Sequence, residues 1–411
     1  MSKFLPADIL LPDFKKVDGS KWATIACDQF TGEPEYWRNA DIFVGEAPST
    51  LRLMIPEAFL SETQTRVPVV NDTMLKYLED KVLELHENSM VFIERIQADG
   101  RKRRGLVGMI DLEDYDYSIG SCSPIRATEG TVLSRIPPRV AIRKDAAIEL
   151  PHIMMLVDDP ENSIFASVDI ERAPDYFFDL MLGGGAISGR FLTEKEIAAV
   201  QNAIDMIFMA QKDNDPLLFA VGDGNHSLAT AKTIYEGIKE ELGDAALTHP
   251  SRFALVELTN IYDEALDFEP IYRVLQNVDP NDVVREFKKY AQQFANNDSD
   301  NASQTIDIVF CNGEERIVIE RPEKNITVAT LQTFLDDYIS LHTDAELDYI
   351  HGRDSLLNLA RRERSIGFLF DGITKSGFFD VIRKDGAFPR KTFSMGHATD
   401  KRYYIECRKI K

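Results

Sequence analysis

Within five residues, Asp223-Gly224-Asn225-His226-Ser227 gathers a carboxylate, an amide, an imidazole and a hydroxyl, with Gly222 and Gly224 flanking the aspartate. An aspartate can offer hard oxygen to a divalent cation or accept a proton, and an imidazole adds a donor or a group that titrates near neutral pH. Asn225 and Ser227 can hydrogen-bond phosphate oxygens. The apolar run Leu217–Val221 precedes this segment, and Leu228, Ala231, Ile234, Tyr235, Ile238 and Leu242 follow it at helical spacing. A strand, a glycine-flanked turn and a helix start aim backbone N–H groups and the positive end of the helix dipole at an anion, and the glycines let a ligand come close to the main chain. Phosphate is the guest expected. The same residues also allow a purely local arrangement, in which Asp223 or Ser227 caps the helix and His226 bonds a nearby carbonyl.

The elements that must position this segment read as α/β. Asn71-Asp72-Thr73 ahead of Leu75, Leu78, Val82 and Leu85 suggests a capped amphipathic helix. Met90–Ile96 and Gly105–Ile110 suggest a hairpin, with the basic run Arg101–Arg104 at its turn or entering the return strand as a solvated tip. Two helical patterns are expected between Asp175 and Asp213, separated by the loop Gly183–Gly189, which also ends the first. The second opens on Thr193 and Glu196, the spacing of a capping box. The glycine loop is not a dinucleotide fingerprint: its spacing is G-x-G-x-x-x-G and it follows a helix-like stretch where a strand is needed. Strands at Phe253–Leu258, Ile306–Phe310, Arg316–Ile319 and from Ile366, with a helix from Asp282, suggest a second, smaller α/β unit, and 295–303 is the most loop-like stretch. The expected division is 1–250 and 251–411.

At 411 residues the chain is long enough for two or three domains with a buried core. The excess of 68 acidic over 47 basic residues, a net charge of −21, disfavours general nucleic-acid binding. Cys27, Cys122, Cys311 and Cys407 are widely spaced and form no CxxC pair, so neither a zinc ribbon nor a disulfide framework is expected. The segment Met1–Asp8 lacks the apolar core of a signal peptide, and no apolar run approaches the ~18–20 residues needed to span a bilayer. A soluble, cytoplasmic protein is expected. No P-loop, HExxH or GxSxG motif is present. Asp344, Glu346 and Asp348 with His342 and His351 read as a solvated acidic helix face rather than a metal site.

Four segments in order resemble the DUF1015 family over most of the chain. Asp223-Gly224-Asn225-His226-Ser227 is similar to its D-G-H-H-R signature, and Arg126-Ala127-Thr128-Glu129-Gly130-Thr131 to its R-x-H-E-x-T segment. Glu269-Pro270-Ile271-Tyr272-Arg273 is similar to P-T-H-R, and Phe388-Pro389-Arg390-Lys391-Thr392-Phe393 to M-P-x-K-S-T. Cys27-Asp28 matches the Tyr-Asp of a P-Y-D entry segment. The departures are Asn225 and Thr128, where the family usually has His, and Ser227, where it usually has Arg, so another cation must serve the phosphate. The resemblance implies a ParB/sulfiredoxin-like fold in the N-terminal unit and a Mg²⁺-dependent kinase that converts free L-serine to O-phosphoserine, with pyrophosphate as first-choice donor and ADP or ATP as the alternative.

Such a transfer needs a carboxylate to orient the hydroxyl and take its proton, and cations or N–H groups for the moving charge. Asp223 and Glu129 are the candidates for base and metal carboxylate, with His226 beside them and Asp28 as a further metal ligand. Gly222, Gly224, Asn225, Ser227, Arg126, Thr131, Arg135, Arg139, Arg390 and Lys391 are candidates for holding phosphate or substrate, because arginine grips phosphate through paired hydrogen bonds and lysine acts as a point charge. Cys27 reads as a buried small residue, since no histidine partner is evident to activate it. A phosphohydrolase and a ParB-like regulatory or ligand-binding protein are the rival readings, and a homo-oligomer is compatible with all of them.

Overall fold

The computed structural model describes residues 2–211 and 215–411; Met1 and Asp213, on which expectations above touch, lie outside them. The described residues form a mixed α/β protein with two compact units, 1–266 together with 397–411, and 267–396.

In the first unit nine strands form one mixed sheet. Its order is Tyr176–Asp179, Ala186–Phe191, Val91–Ile96, Lys102–Asp111, Phe253–Asn260, Met154–Val157, Phe219–Asp223, Ile125–Arg126 and Tyr115–Asp116. The central strands are apolar on both sides, so successive residues feed two cores: Phe92, Leu106 and Val256 point to one, Val91, Val107 and Leu255 to the other. Helices Glu194–Ala210 and Asn225–Leu242 cover the first core through Val200, Ile204, Leu228 and Tyr235. Helix Pro34–Val44 and the returning segment Tyr403–Ile405 cover the second.

The second unit is an antiparallel sheet in the order Gly313–Ile319, Gln304–Phe310, Ser365–Leu369, Phe268–Gln276 and Glu346–His351, with Phe393–Met395 paired to the start of Phe268–Gln276. Helices Pro280–Gln292 and Thr327–Leu341 bury Phe287, Phe334 and Leu335 in its core.

Several expectations are met locally. The hairpin of Val91–Ile96 and Lys102–Asp111 forms, as does the capping box of Thr193 and Glu196. Others are corrected. Strand Phe253–Asn260 pairs with Lys102–Asp111, and the last residues return to the first unit, so the division does not fall after residue 250. The segment expected to be helical after Asp175 is strand Tyr176–Asp179, hairpinned onto Ala186–Phe191, because its aromatic run alternates between a buried Tyr176 and an exposed Phe177. Asn71–Thr73 lies inside helix Thr63–Glu79, where Thr73 Oγ1 donates to the Val69 carbonyl, and Leu85 belongs to strand Leu83–Ser89. The acidic residues Glu346 and Asp348 lie on a strand, not a helix. Within the basic run, Arg103 is buried beside Glu257 rather than solvated at a tip.

Candidate functional site

The strand, turn and helix form as their pattern demands: strand Phe219–Asp223 runs into helix Asn225–Leu242, with Gly224 between them. Gly224 adopts φ 82°, and a β-carbon there would sit 3.0 Å from the Ile153 backbone. A β-carbon on Gly222 would meet Leu156 at 2.8 Å. Both glycines therefore admit the protein's own segment 153–156, rather than opening the main chain to a ligand. No side chain caps the helix, so the local capping arrangement is not adopted. Of the first amides, Gly224 N–H donates to Asp223 Oδ1 and Ser227 N–H to the Gly224 carbonyl, each at 3.0 Å, which leaves those of Asn225 and His226 facing the helix start.

Around this helix start lies a polar cleft of about 240 Å³. Carboxylates reach it from four places in the chain, Asp28, Glu57, Glu129 and Asp223, and Arg135 and Arg139 line it with them, together with Gly224 through Ser227. Thr31 also lines it, and neither it nor Glu57 is marked by the sequence patterns. Arg139 is ion-paired with Glu57, and its Nη1 donates to the Arg135 carbonyl at 2.8 Å. A lysine from far along the chain approaches the turn, with Lys401 Nζ 3.3 Å from Asp223 Oδ2. Asp28 is drawn upward by burial, yet His152, a hydrogen bond from Gln29 and the charge of Lys401 outweigh it and hold the carboxyl below its usual value.

The polar residues of the turn divide by what they touch. Asn225 accepts the Thr128 N–H at 3.1 Å and donates to Thr128 Oγ1 at 3.1 Å, while that hydroxyl donates to the Val221 carbonyl at 2.6 Å. Two of the three departures from the family pattern are thus bonded to each other. His226 Nε2 accepts the Val132 N–H at 3.3 Å. Burial, then the charges of Arg139 and Arg135, push His226 down to about 4. It is neutral at pH 7 and does not titrate there, contrary to the expectation. Ser227 Oγ lies 3.0 Å from His152 Nε2, and His152 Nδ1 lies 2.8 Å from the Tyr404 hydroxyl. The Cys27 thiol is pushed up to about 12 by burial and so stays protonated, in keeping with a packing role.

Other candidates fall elsewhere. Arg126 is buried, with its guanidinium on Asp215 and on the carbonyls of Ser123 and Pro216. Thr131 and Gly222 are not on the cleft wall. Arg390 and Lys391 belong to the second unit, where Arg390 Nε donates to the Tyr349 hydroxyl at 2.8 Å and Lys391 Nζ sits 4.9 Å from that ring. Among the described residues no three His, Cys, Asp or Glu side chains gather to hold a metal ion. A second, mainly apolar cavity adjoins the cleft, sharing Glu57, Arg139 and Ser227 with it and walled by Leu53, Ile55, Met74, Ile142 and Ile148.

The sequence profile of the family described as protein of unknown function (DUF1015) matches residues 11–338. The chain belongs to this family. No curated protein matches it. Among solved structures, a conserved hypothetical protein from Pyrococcus furiosus is similar at 10% identity and a TM-score of 0.34, over 74% of this chain and 94% of that one. A free serine kinase in complex with AMP is similar at 11% identity and a TM-score of 0.37, over 74% and 91%. SbnI with C-terminal truncation from Staphylococcus aureus is similar at 8% identity and 0.33, over 71% and 82%. Among the described residues no helix is long and apolar enough to cross a membrane.

Proposed function

We propose that the cleft carries out phosphoryl transfer from a phosphate-bearing donor to a small hydroxyl acceptor, with free L-serine as that acceptor. The observation that carries this reading is the meeting of Asp28, Glu129 and Asp223 with Arg135, Arg139 and Lys401 around one uncapped helix start. Carboxylates can orient a hydroxyl and take its proton, while guanidinium groups and free amides hold the charge that moves with the phosphoryl group. Asp223 is the carboxylate we assign to Mg²⁺; that ion commonly takes only one or two carboxylates and completes its shell with water and phosphate oxygens, so a site without a protein-only cage fits it. When bound, the ion would neutralise donor charge.

The apolar cavity beside the cleft supports a nucleotide over pyrophosphate as donor, since a base needs an apolar slot next to its phosphates and pyrophosphate needs none. The test is ³¹P NMR of the protein with Mg²⁺ and L-serine, supplying ADP, ATP or pyrophosphate in separate tubes, with serine omitted in controls. O-phosphoserine is expected with a nucleotide. Its appearance only with pyrophosphate would reverse the donor assignment, orthophosphate released without serine would make the protein a hydrolase, and silence throughout would overturn the reading.

A further inference from the structure

Ser227 lies within hydrogen-bond reach of a buried imidazole. Its Oγ is 3.0 Å from His152 Nε2, and the imidazole is held from its other side by the Tyr404 hydroxyl, 2.8 Å from Nδ1. That hydroxyl also accepts the Cys27 N–H at 3.2 Å, and His152 and Tyr404 are both buried, so the ring has a fixed orientation. The Asp28 carboxylate lies 3.6 Å from the same Nε2, where it would face the imidazolium formed when the ring takes a proton. A nucleophile within hydrogen-bond reach of a base, with the base oriented by a third group, is the arrangement that activates a hydroxyl for covalent catalysis. Ser227 also sits in the first turn of helix Asn225–Leu242, whose positive end favours negative charge developing on Oγ. It lines the cleft that contains Arg135 and Arg139, and no part of the transfer described above needs its hydroxyl to react.

We propose that Ser227 accepts the phosphoryl group from the donor before the acceptor does, so that transfer passes through a phosphoseryl enzyme. This rests on the phosphotransferase reading of the same cleft. In the tautomer with its proton on Nδ1, donated to Tyr404, His152 presents the Nε2 lone pair to Ser227. An Oγ lone pair forms the new O–P bond while the donor's P–O bond breaks, its electron pair leaving with the departing phosphate or nucleotide, and the Ser227 proton passes to His152. In the second half, the acceptor hydroxyl attacks the same phosphorus and gives its proton to a cleft carboxylate and then to water. The Oγ–P bond breaks and Oγ recovers its proton from His152. Phosphorus keeps four P–O bonds, and nothing is oxidised or reduced.

The test uses the full chain with Mg²⁺ and ATP, ADP or pyrophosphate, without serine, quenched in acid and read by intact mass and peptide mapping, alongside the serine assay. We expect a gain of one phosphoryl group on Ser227, its loss on chasing with serine, and its absence in Ser227→Ala. His152→Gln should label at least ~10²-fold more slowly, the usual span for losing a general base being about 10²–10⁴. Thermal melts of both variants identify any that fail to fold; in that case isotope exchange between donor and leaving group in the wild-type protein without serine decides, because only a covalent intermediate permits it. Phosphoserine formed with neither label nor exchange, or with Ser227→Ala at wild-type rate, overturns the intermediate and leaves the kinase reading standing. Label on Ser227 that serine cannot remove supports the nucleophile and overturns serine as acceptor. Neither label nor product with any donor overturns both.

Discussion

At the scale of single residues, the cleft separates groups by protonation. His226, pushed down to about 4, is uncharged through the physiological range, and its Nε2 is committed as an acceptor. NMR titration of the folded protein should give this ring a midpoint near 4 rather than its ordinary 6.5. Because the unfolded chain binds that proton more readily, the ring's contribution to stability is intact above pH 6.5 and is lost progressively as pH falls toward 4. His226→Gln should flatten that part of a stability–pH curve. Asp223 lines the same cleft, with Oδ2 3.3 Å from Lys401 Nζ. Asp223→Asn preserves shape and removes charge, so transfer in the phosphorus assay should fall by at least ~10²-fold while the thermal melt stays close to wild type. Near-normal turnover would remove Asp223 from the chemistry.

At the scale of elements, the site depends on how closely strand Met154–Val157 and its approach lie against the turn. Gly224→Ala would impose both a left-handed backbone and a contact 3.0 Å from the Ile153 backbone, so a loss of about 1–3 kcal/mol in urea unfolding is expected. An unchanged midpoint would mean the turn can relax. The Thr128–Asn225 pair ties the turn to the segment after strand Ile125–Arg126, with each side chain satisfying the other. In a double-mutant cycle of Thr128→Ala and Asn225→Ala, the two losses should fall short of additive by roughly 0.5–3 kcal/mol, the range for residues in contact. Strict additivity would show that they do not support each other.

At the scale of the whole molecule, the C-terminal return completes the first unit. Arg402 binds Glu257 and Glu406, Arg408 binds Glu149, and Trp22 Nε1 donates to the Ile405 carbonyl, all in buried surroundings. Burial pushes Glu149 and Glu257 up, but their arginines outweigh it and hold both carboxyls below 4.5. Their contribution to stability is therefore present above that value and lost as pH falls below it; Glu406, raised by burial, works in the other direction. Arg402→Met would strand buried carboxylates, at a cost of about 3–5 kcal/mol near pH 7. The penalty should shrink in acid as they protonate, and denaturant melts at pH 7 and pH 4 compare the two. A penalty independent of pH would assign the loss to packing.

The sequence by itself determined the features whose causes are local. The strand, turn and helix about Asp223, the hairpin from Val91 and the capping box at Thr193 follow from periodicity and turn chemistry within a few residues. The tertiary structure alone decided what meets in the cleft. His152, Tyr404 and Lys401 carry no local signal, because their roles come from partners far along the chain: Ser227 is 75 residues from His152, and Tyr404 is 252 residues from it. Arg126 and Asn225 look like phosphate ligands as residue types, yet folding commits them to Asp215 and Thr128. The aromatic run after Asp175 reads as helix from its sequence, and pairing with a neighbouring strand makes it a strand. Residue type and spacing state which groups are available, while distance between segments remote in sequence settles which of them remain available to a ligand, since a buried donor or acceptor must find a partner wherever the fold places it.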